Sequence, residues 1–188
     1  ASRDELAAFL RERAGSAEPV DVLSVPCGIP RELADGYAAF RAAGAPAPLR
    51  LTFHGLDLDP AVLETASAFA AVRGLEPFVT HHGDAFDRAA YPPAVDFITC
   101  TGLAEFLDDE RLAELYGIFA ERLRPGGKLV TSGMRGRPVS DYLLRLAEIT
   151  IHHRTPADLE RLARTAVFSR IETRIDDVGL QAIMVARR

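Results

Sequence analysis

The chain has little of what marks several function classes. It holds a single lysine, Lys128, no long basic run and a net charge of −5, so it carries no electrostatic footprint for non-specific nucleic-acid binding. No apolar run approaches the roughly 20 residues that span a bilayer. The opening ASRDELAAFLRERAG is charged and helical in period, unlike a secretory leader. Cysteine is limited to Cys27 and Cys100, which make neither a disulfide framework nor a metal-ligand cluster. These absences lead us to expect a soluble protein of a reducing, cytoplasmic compartment, with no metal and no membrane or nucleic-acid partner. Repeats and low-complexity linkers are missing as well. The 188 residues, 48% hydrophobic, therefore read as one domain, 1–188, with a substantial core. The scarcity of lysine beside many arginines reads as genome composition rather than function.

What is present is alternation of strand-like and helical runs, with short loops at Ala43–Pro48, Tyr91–Pro93 and Arg124–Gly127. Ser2 to Arg13 predicts an amphipathic helix and Val20 to Val25 a strand. Pro30 to Ala43 predicts a helix with proline in its first turn, and Leu51 to Leu56 a second strand. Asp59 and Pro60 supply an N-cap and first-turn proline for a helix to about Arg73. Phe78 to His81 reads as a brief strand and Asp84 to Ala89 as a short turn or helix. Val95 to Cys100 is a continuous apolar strand expected to be covered on both faces. Asp108 or Asp109 caps a helix reaching Leu123, Gly126–Gly127 stops it, and Lys128 to Ser132 returns as a strand. Helices over Val139–Ile149 and Pro156–Ala166 precede strands Phe168–Asp176 and Leu180–Ala186, joined by a turn at Asp177–Gly179. Five β/α units followed by this hairpin imply a mostly parallel sheet with one reversed strand.

Two stretches carry chemistry. VDVLSVPCG (Val20–Gly28) is an apolar strand running into a tight turn. LTFHGLDLDP (Leu51–Pro60) is a strand ending on Asp57. Strand, turn, helix and a second strand tipped by a carboxylate is how an open α/β sheet grips a nucleoside, the carboxylate accepting from both ribose hydroxyls.

With GDAFD (Gly83–Asp87), DFITCTGLAEFL (Asp96–Leu107) and LRPGGKLVTSG (Leu123–Gly133) in the same order, the chain resembles the class I S-adenosylmethionine-dependent methyltransferases from about Val20 to Arg188. It is closer still to a group of bacterial methyltransferases with a VPCG turn. The resemblance implies a Rossmann-like, doubly wound, mostly parallel seven-stranded α/β sheet with a C-terminal antiparallel hairpin and helices on both faces. It implies S-adenosyl-L-methionine as cofactor and a small-molecule methyl acceptor. By position, the backbone of Pro26, Cys27 and Gly28 would lie against the methionine part and Asp57 would hold the ribose. Leu58 would sit beside the adenine, with Asp84 at its amino group and the Ala85 N–H at a ring nitrogen. Thr101 and Gly102 would line the floor near the sulfonium. The sequence departs from the family where Ser24 replaces an acid and Pro26 and Pro30 replace glycines, leaving Gly28 alone of that set. Proline removes a donor and fixes φ, so the turn cannot cradle a ligand in the usual way.

Each residue also has a plainer role. Asp57 could be a polar strand end, Asp59 and Asp84 helix caps, and Phe86 a core side chain. Glu105 follows the fourth strand, where acceptors sit in this fold, and is otherwise a surface carboxylate. His152 and His153 could reach the same edge as a base, or be solvated loop residues. His81 and His82 read as structural. Cys27 and Cys100 end strands expected to be neighbours, as buried small residues or as a redox-sensitive pair. Two rival functions stay open: a catalytically degenerate binding protein, motivated by the prolines, and an NAD(P)-dependent oxidoreductase, disfavoured by the missing G-x-G-x-x-G. Only about 18 residues precede the first strand, so the acceptor side is open, belongs to a longer chain, or is closed by a partner such as a second copy in a homodimer.

Overall fold

The structure is a computed structural model and describes residues 2–44 and 49–188, with backbone alone at 139 and 140. The expected loop at Ala43–Pro48 thus falls, from residue 45 on, outside the described residues. The strands are β1 (Val20–Ser24), β2 (Leu51–Asp57), β3 (Phe78–His82), β4 (Val95–Cys100), β5 (Leu123–Met134), β6 (Arg170–Ile175) and β7 (Gln181–Arg187). They form one sheet in the order β3-β2-β1-β4-β5-β7-β6. β1 to β5 pair in parallel, while β7 runs antiparallel to both β5 and β6. This is the seven-stranded, mostly parallel sheet with a terminal hairpin that the resemblance implies. The chain leaves β1 in one direction, to β2 and β3, and returns to β4 on β1's other side. Ligands in open α/β sheets bind at such a reversal, beyond the carboxyl ends of the strands.

Successive strand residues feed opposite faces. Val22, Phe97, Val130 and Val185 join one cluster with Leu6, Phe9 and Leu10 of α1 (Ser2–Arg13) and Leu33 and Phe40 of α2 (Arg31–Ala42). Leu23, Ile98, Leu129 and Met184 join another with Leu112, Leu115 and Phe119 of α4 (Asp109–Arg122) and Leu159 and Leu162 of α6 (Pro156–Ala163). Every residue of β4 is buried, because helices cover it on both sides. Burying each such Leu or Phe contributes roughly 1.5–3 kcal/mol, so this packing outweighs helix propensity in fixing the fold. Helix α3 (Pro60–Arg73) is bounded as its sequence dictates. Asp59 accepts the Ala61 N–H, Pro60 opens the first turn, and Gly74 ends the helix in the left-handed region at φ 70°.

Several expected bounds shift. Helix α4, capped by Asp108, stops at Arg122, and β5 begins at once at Leu123. Gly126 and Gly127 therefore sit inside an irregular strand, where Gly126 donates to Arg188 O (2.9 Å) and Arg188 to Gly127 O (3.1 Å). The expected strand Lys128–Ser132 is only its regular part. Between Asp84 and Ala89 the chain is mostly turn, with a 3₁₀ turn at Arg88–Ala90 capped by Asp87. Helix α5 (Pro138–Leu146) ends before Ile149, and α6 ends at Ala163 rather than Ala166.

Candidate functional site

β1 ends at Ser24, and the chain turns through Val25–Pro30 into α2. Three backbone donors pin that turn to the neighbouring strands. Val25 N–H donates to Thr99 O (3.0 Å), Cys27 N–H to Leu56 O (2.8 Å), and Gly28 N–H to Asp57 Oδ2 (3.0 Å). Asp57 Oδ1 takes the Asp59 N–H at 3.2 Å. Gly28 has φ +49°, a conformation glycine adopts without strain. Gly55 of β2 is required for a different reason. A Cβ there would lie 2.5 Å from Cys27 Sγ and 2.9 Å from Phe78 Cζ, so only glycine lets the turn lie flat on the strand.

Above the turn lies a cavity of ≈ 480 Å³, within the range of small-molecule sites. Of the residues expected from sequence, Pro26, Cys27, Gly28, Asp57 and Thr101 line it. Leu58 (67% exposed), Asp84, Ala85 and Gly102 do not. Asp84 caps its own turn, its Oδ1 accepting the Phe86 N–H at 2.9 Å, and the adjacent Gly83 N–H donates to Asp57 O at 3.1 Å. Phe86 is half-buried against the larger cluster, with the Arg111 guanidinium 3.5 Å from its ring centroid.

Sequence reasoning missed Glu32. It rises from the first turn of α2 into the cavity, where its Oε2 accepts from Thr101 Oγ1 at 3.2 Å and lies 3.5 Å from Thr99 Oγ1. Its one visible signal was an acid one helical turn beyond Gly28, in a chain lacking an acid at Ser24.

Glu105 is neither on the surface nor in the cavity. It is 6% exposed in the 3₁₀ turn Ala104–Phe106, and its Oε2 has no hydrogen-bond partner among the described residues. Burial pushes its carboxyl above the ordinary value. The backbone of His152, not its ring, reaches Glu105, donating to its carbonyl at 2.6 Å. His153 is exposed, with Nε2 3.2 Å from Asp141 Oδ1. His81 pairs with His54 at 3.0 Å, and burial followed by the charge of His54 holds its pKa below the usual value. His82 Nε2 lies 3.1 Å from Leu58 O, so neither His81 nor His82 enters the cavity.

Cys27 and Cys100 are both free and buried, and they belong to different clusters. Burial pushes each thiol up to about 12, helped by the charge of Asp57 at Cys27 and of Glu105 at Cys100. Buried in separate clusters, the two thiols fit the plainer reading of small core residues. No group of three or more His, Cys, Asp or Glu side chains among the described residues is arranged to hold a metal ion. Likewise, no helix among them is long and apolar enough to cross a membrane.

Comparison with known proteins bears on the family and the fold. A family model described as "putative methyltransferase" matches residues 3–188. A Bordetella parapertussis protein described as a "possible exported protein" is 27% identical at TM-score 0.76, over 100% of this chain and 68% of its own. The S-adenosylmethionine-dependent methyltransferase SibL, in its apo form, is 21% identical at TM-score 0.72, over 98% of this chain and 55% of its own. Magnesium protoporphyrin IX methyltransferase from Synechocystis, with bound S-adenosylhomocysteine, is 14% identical at TM-score 0.68, over 100% and 81%. The chain thus spans about two thirds of the first of these and about half of the second. No curated protein matches the sequence.

Proposed function

Since the chain belongs to this methyltransferase family, we propose that it transfers a methyl group from S-adenosyl-L-methionine to a small-molecule acceptor. The observation that carries the reading is Asp57, a carboxylate at the tip of β2 opening into the cavity where strand order reverses. Each of its oxygens accepts one backbone N–H, which leaves lone pairs for the two ribose hydroxyls. The turn suits a cofactor without phosphates. Pro26 and Pro30 have no N–H, and those of Cys27 and Gly28 are already bonded to β2, so the turn itself would offer a pyrophosphate fewer donors than a glycine-rich one. That argues against a nicotinamide cofactor, and the intact Asp57 cavity argues against a degenerate protein.

The sulfonium of the cofactor supplies an already activated methyl group, so the protein's part is to position two reactants and exclude water. Asp57 and the turn hold one end. Leu58, Asp84 and Ala85, next to Asp57 through Gly83, remain our candidates for the adenine. Thr101 and Gly102 remain those for the floor near the sulfonium. Of the three groups considered for the acceptor's proton, Glu105 is shielded from solvent and His152 offers its backbone. His153, exposed with Asp141 beside its Nε2, remains our imidazole candidate for that proton. The described residues act as one cofactor-binding domain, and two unpaired cysteines suit a reducing, cytoplasmic compartment. A second copy in a homodimer is our candidate for closing the acceptor side.

Calorimetric titration with S-adenosylhomocysteine, S-adenosylmethionine and NAD tests the assignment. Heat is expected with the sulfur nucleosides and not with NAD. Their silence at millimolar concentration would end the reading.

A further inference from the structure

The cavity has two chemically different ends. Asp57 marks one. Toward β4 the turn itself offers a ligand few backbone donors, because Pro26 and Pro30 lack N–H groups and the Cys27 and Gly28 donors are spent on β2, which leaves the first N–H groups of α2. Side chains share the holding there with the start of α2. Ser24, at the tip of β1, lines that end but carries no charge. The charged groups that reach it come from the next helix: Glu32 and Arg31, both exposed to the cavity. Glu32 is held in place, because Thr101 donates to its Oε2 and Thr99 approaches the same oxygen. Thr99 is also the register partner of Ser24, so the Glu32 carboxylate lies over the tips of β1 and β4. No arginine, lysine or histidine pairs with it among the described residues. An oriented, cation-free carboxylate at the end of a nucleoside cavity is suited to a ligand's positive charge.

We infer that Glu32 contacts the cofactor directly, accepting hydrogen bonds from its α-ammonium group, and so makes this end of the cavity an amino-acid subsite. The inference rests on the cofactor reading above, but it assigns a residue and a charge that reading does not need. The two oxygens then divide their work. Oε2 stays with the threonines while Oε1 turns to the ammonium. Thr101 positions Glu32 in addition to lining the floor.

Two ligands separate this role from a general contribution to the fold. S-adenosylhomocysteine carries the amino-acid end. 5′-Deoxy-5′-methylthioadenosine keeps the adenosine and thioether and lacks it. Calorimetry on the full chain should show Glu32→Gln weakening S-adenosylhomocysteine roughly tenfold or more, as loss of a charged hydrogen bond implies, with methylthioadenosine changed by less than about twofold. Retained methylthioadenosine binding also proves that the variant is folded. Equal loss for both ligands, or unchanged affinity for S-adenosylhomocysteine, overturns the inference and leaves the cofactor assignment intact. Wild-type protein that binds neither nucleoside overturns both.

Discussion

The β1–β2 and β4–β5 sides of the sheet are built differently. On the β1–β2 side the polar groups are paired. The turn donates to β2, Asp57 accepts from Gly28 and Asp59, and Gly55 makes room for Cys27. On the β4–β5 side they are not. Glu105 Oε2 and Ser132 Oγ are buried without hydrogen-bond partners among the described residues. Nearby α5 exposes Tyr142, Leu143 and Leu146 at 63%, 56% and 71%, and none of its described side chains is buried. Buried polar groups are normally satisfied, by water or ligand where not by protein. The β1–β2 side is therefore satisfied from within the chain, while the β4–β5 side keeps buried polar atoms without a partner among the described residues.

The strongest way to break the comparison is to strip the β1–β2 side. Asp57→Ala removes the proposed ribose acceptor and leaves the Gly28 and Asp59 N–H groups without their partner. S-adenosylhomocysteine affinity should fall by about 100-fold, as expected for losing two hydrogen bonds to a charged group. Calorimetry checks it, and unaltered binding would remove Asp57 from the site. A smaller but still large effect is expected at Gly55. Gly55→Ala drives a methyl group into Cys27 Sγ, which should destabilise the fold by roughly 1–3 kcal/mol and loosen the turn. Urea unfolding measures the first and calorimetry the second. A neutral outcome would mean that the turn is not seated on β2.

The same contrast explains what the sequence could disclose. The β1–β2 side was legible because local rules built it. An apolar strand, a turn and the Asp59–Pro60 cap fix β2, Asp57 and α3 within a few residues of each other. The terminal hairpin was legible through its Asp/Gly turn. Glu32 was not, because its partners Thr99 and Thr101 lie far along the chain and meet it only when β4 pairs with β1. Glu105 was misjudged for a similar reason. An acid opening a short helical turn looks solvated until α4 and β5 close over it. Gly126–Gly127 signalled a loop, and the pairing of Leu123 with Val95 and of both glycines with Arg188 overrode that signal.

The β4–β5 side offers a pH test. Burial raises the Glu105 carboxyl above 4.5, so the folded protein holds that proton more tightly than the unfolded chain. The stability this contributes is complete below about pH 4.5 and is lost as pH rises through the raised folded value. Glu105→Gln is neutral throughout. It should be more stable than wild type at pH 8 by roughly 1 kcal/mol, with the gap closing towards pH 4. Urea midpoints at the two pH values decide it. A gap that stays constant would mean that Glu105 ionises in the folded state as easily as in the unfolded one.

The smallest effect is expected on α5, and its smallness is informative. Leu146→Ser replaces an exposed leucine on a helix that contributes no described buried side chain, so unfolding free energy should move by less than about 0.5 kcal/mol. S-adenosylhomocysteine binding should not change. Substituting a core leucine such as Leu115, which is fully buried under the same half of the sheet, should cost about 2–5 kcal/mol by contrast. Were Leu146→Ser to shift the urea midpoint as a core substitution does, this face would already be covered in solution. The cover would then be another copy of the chain or a further segment seated on α5.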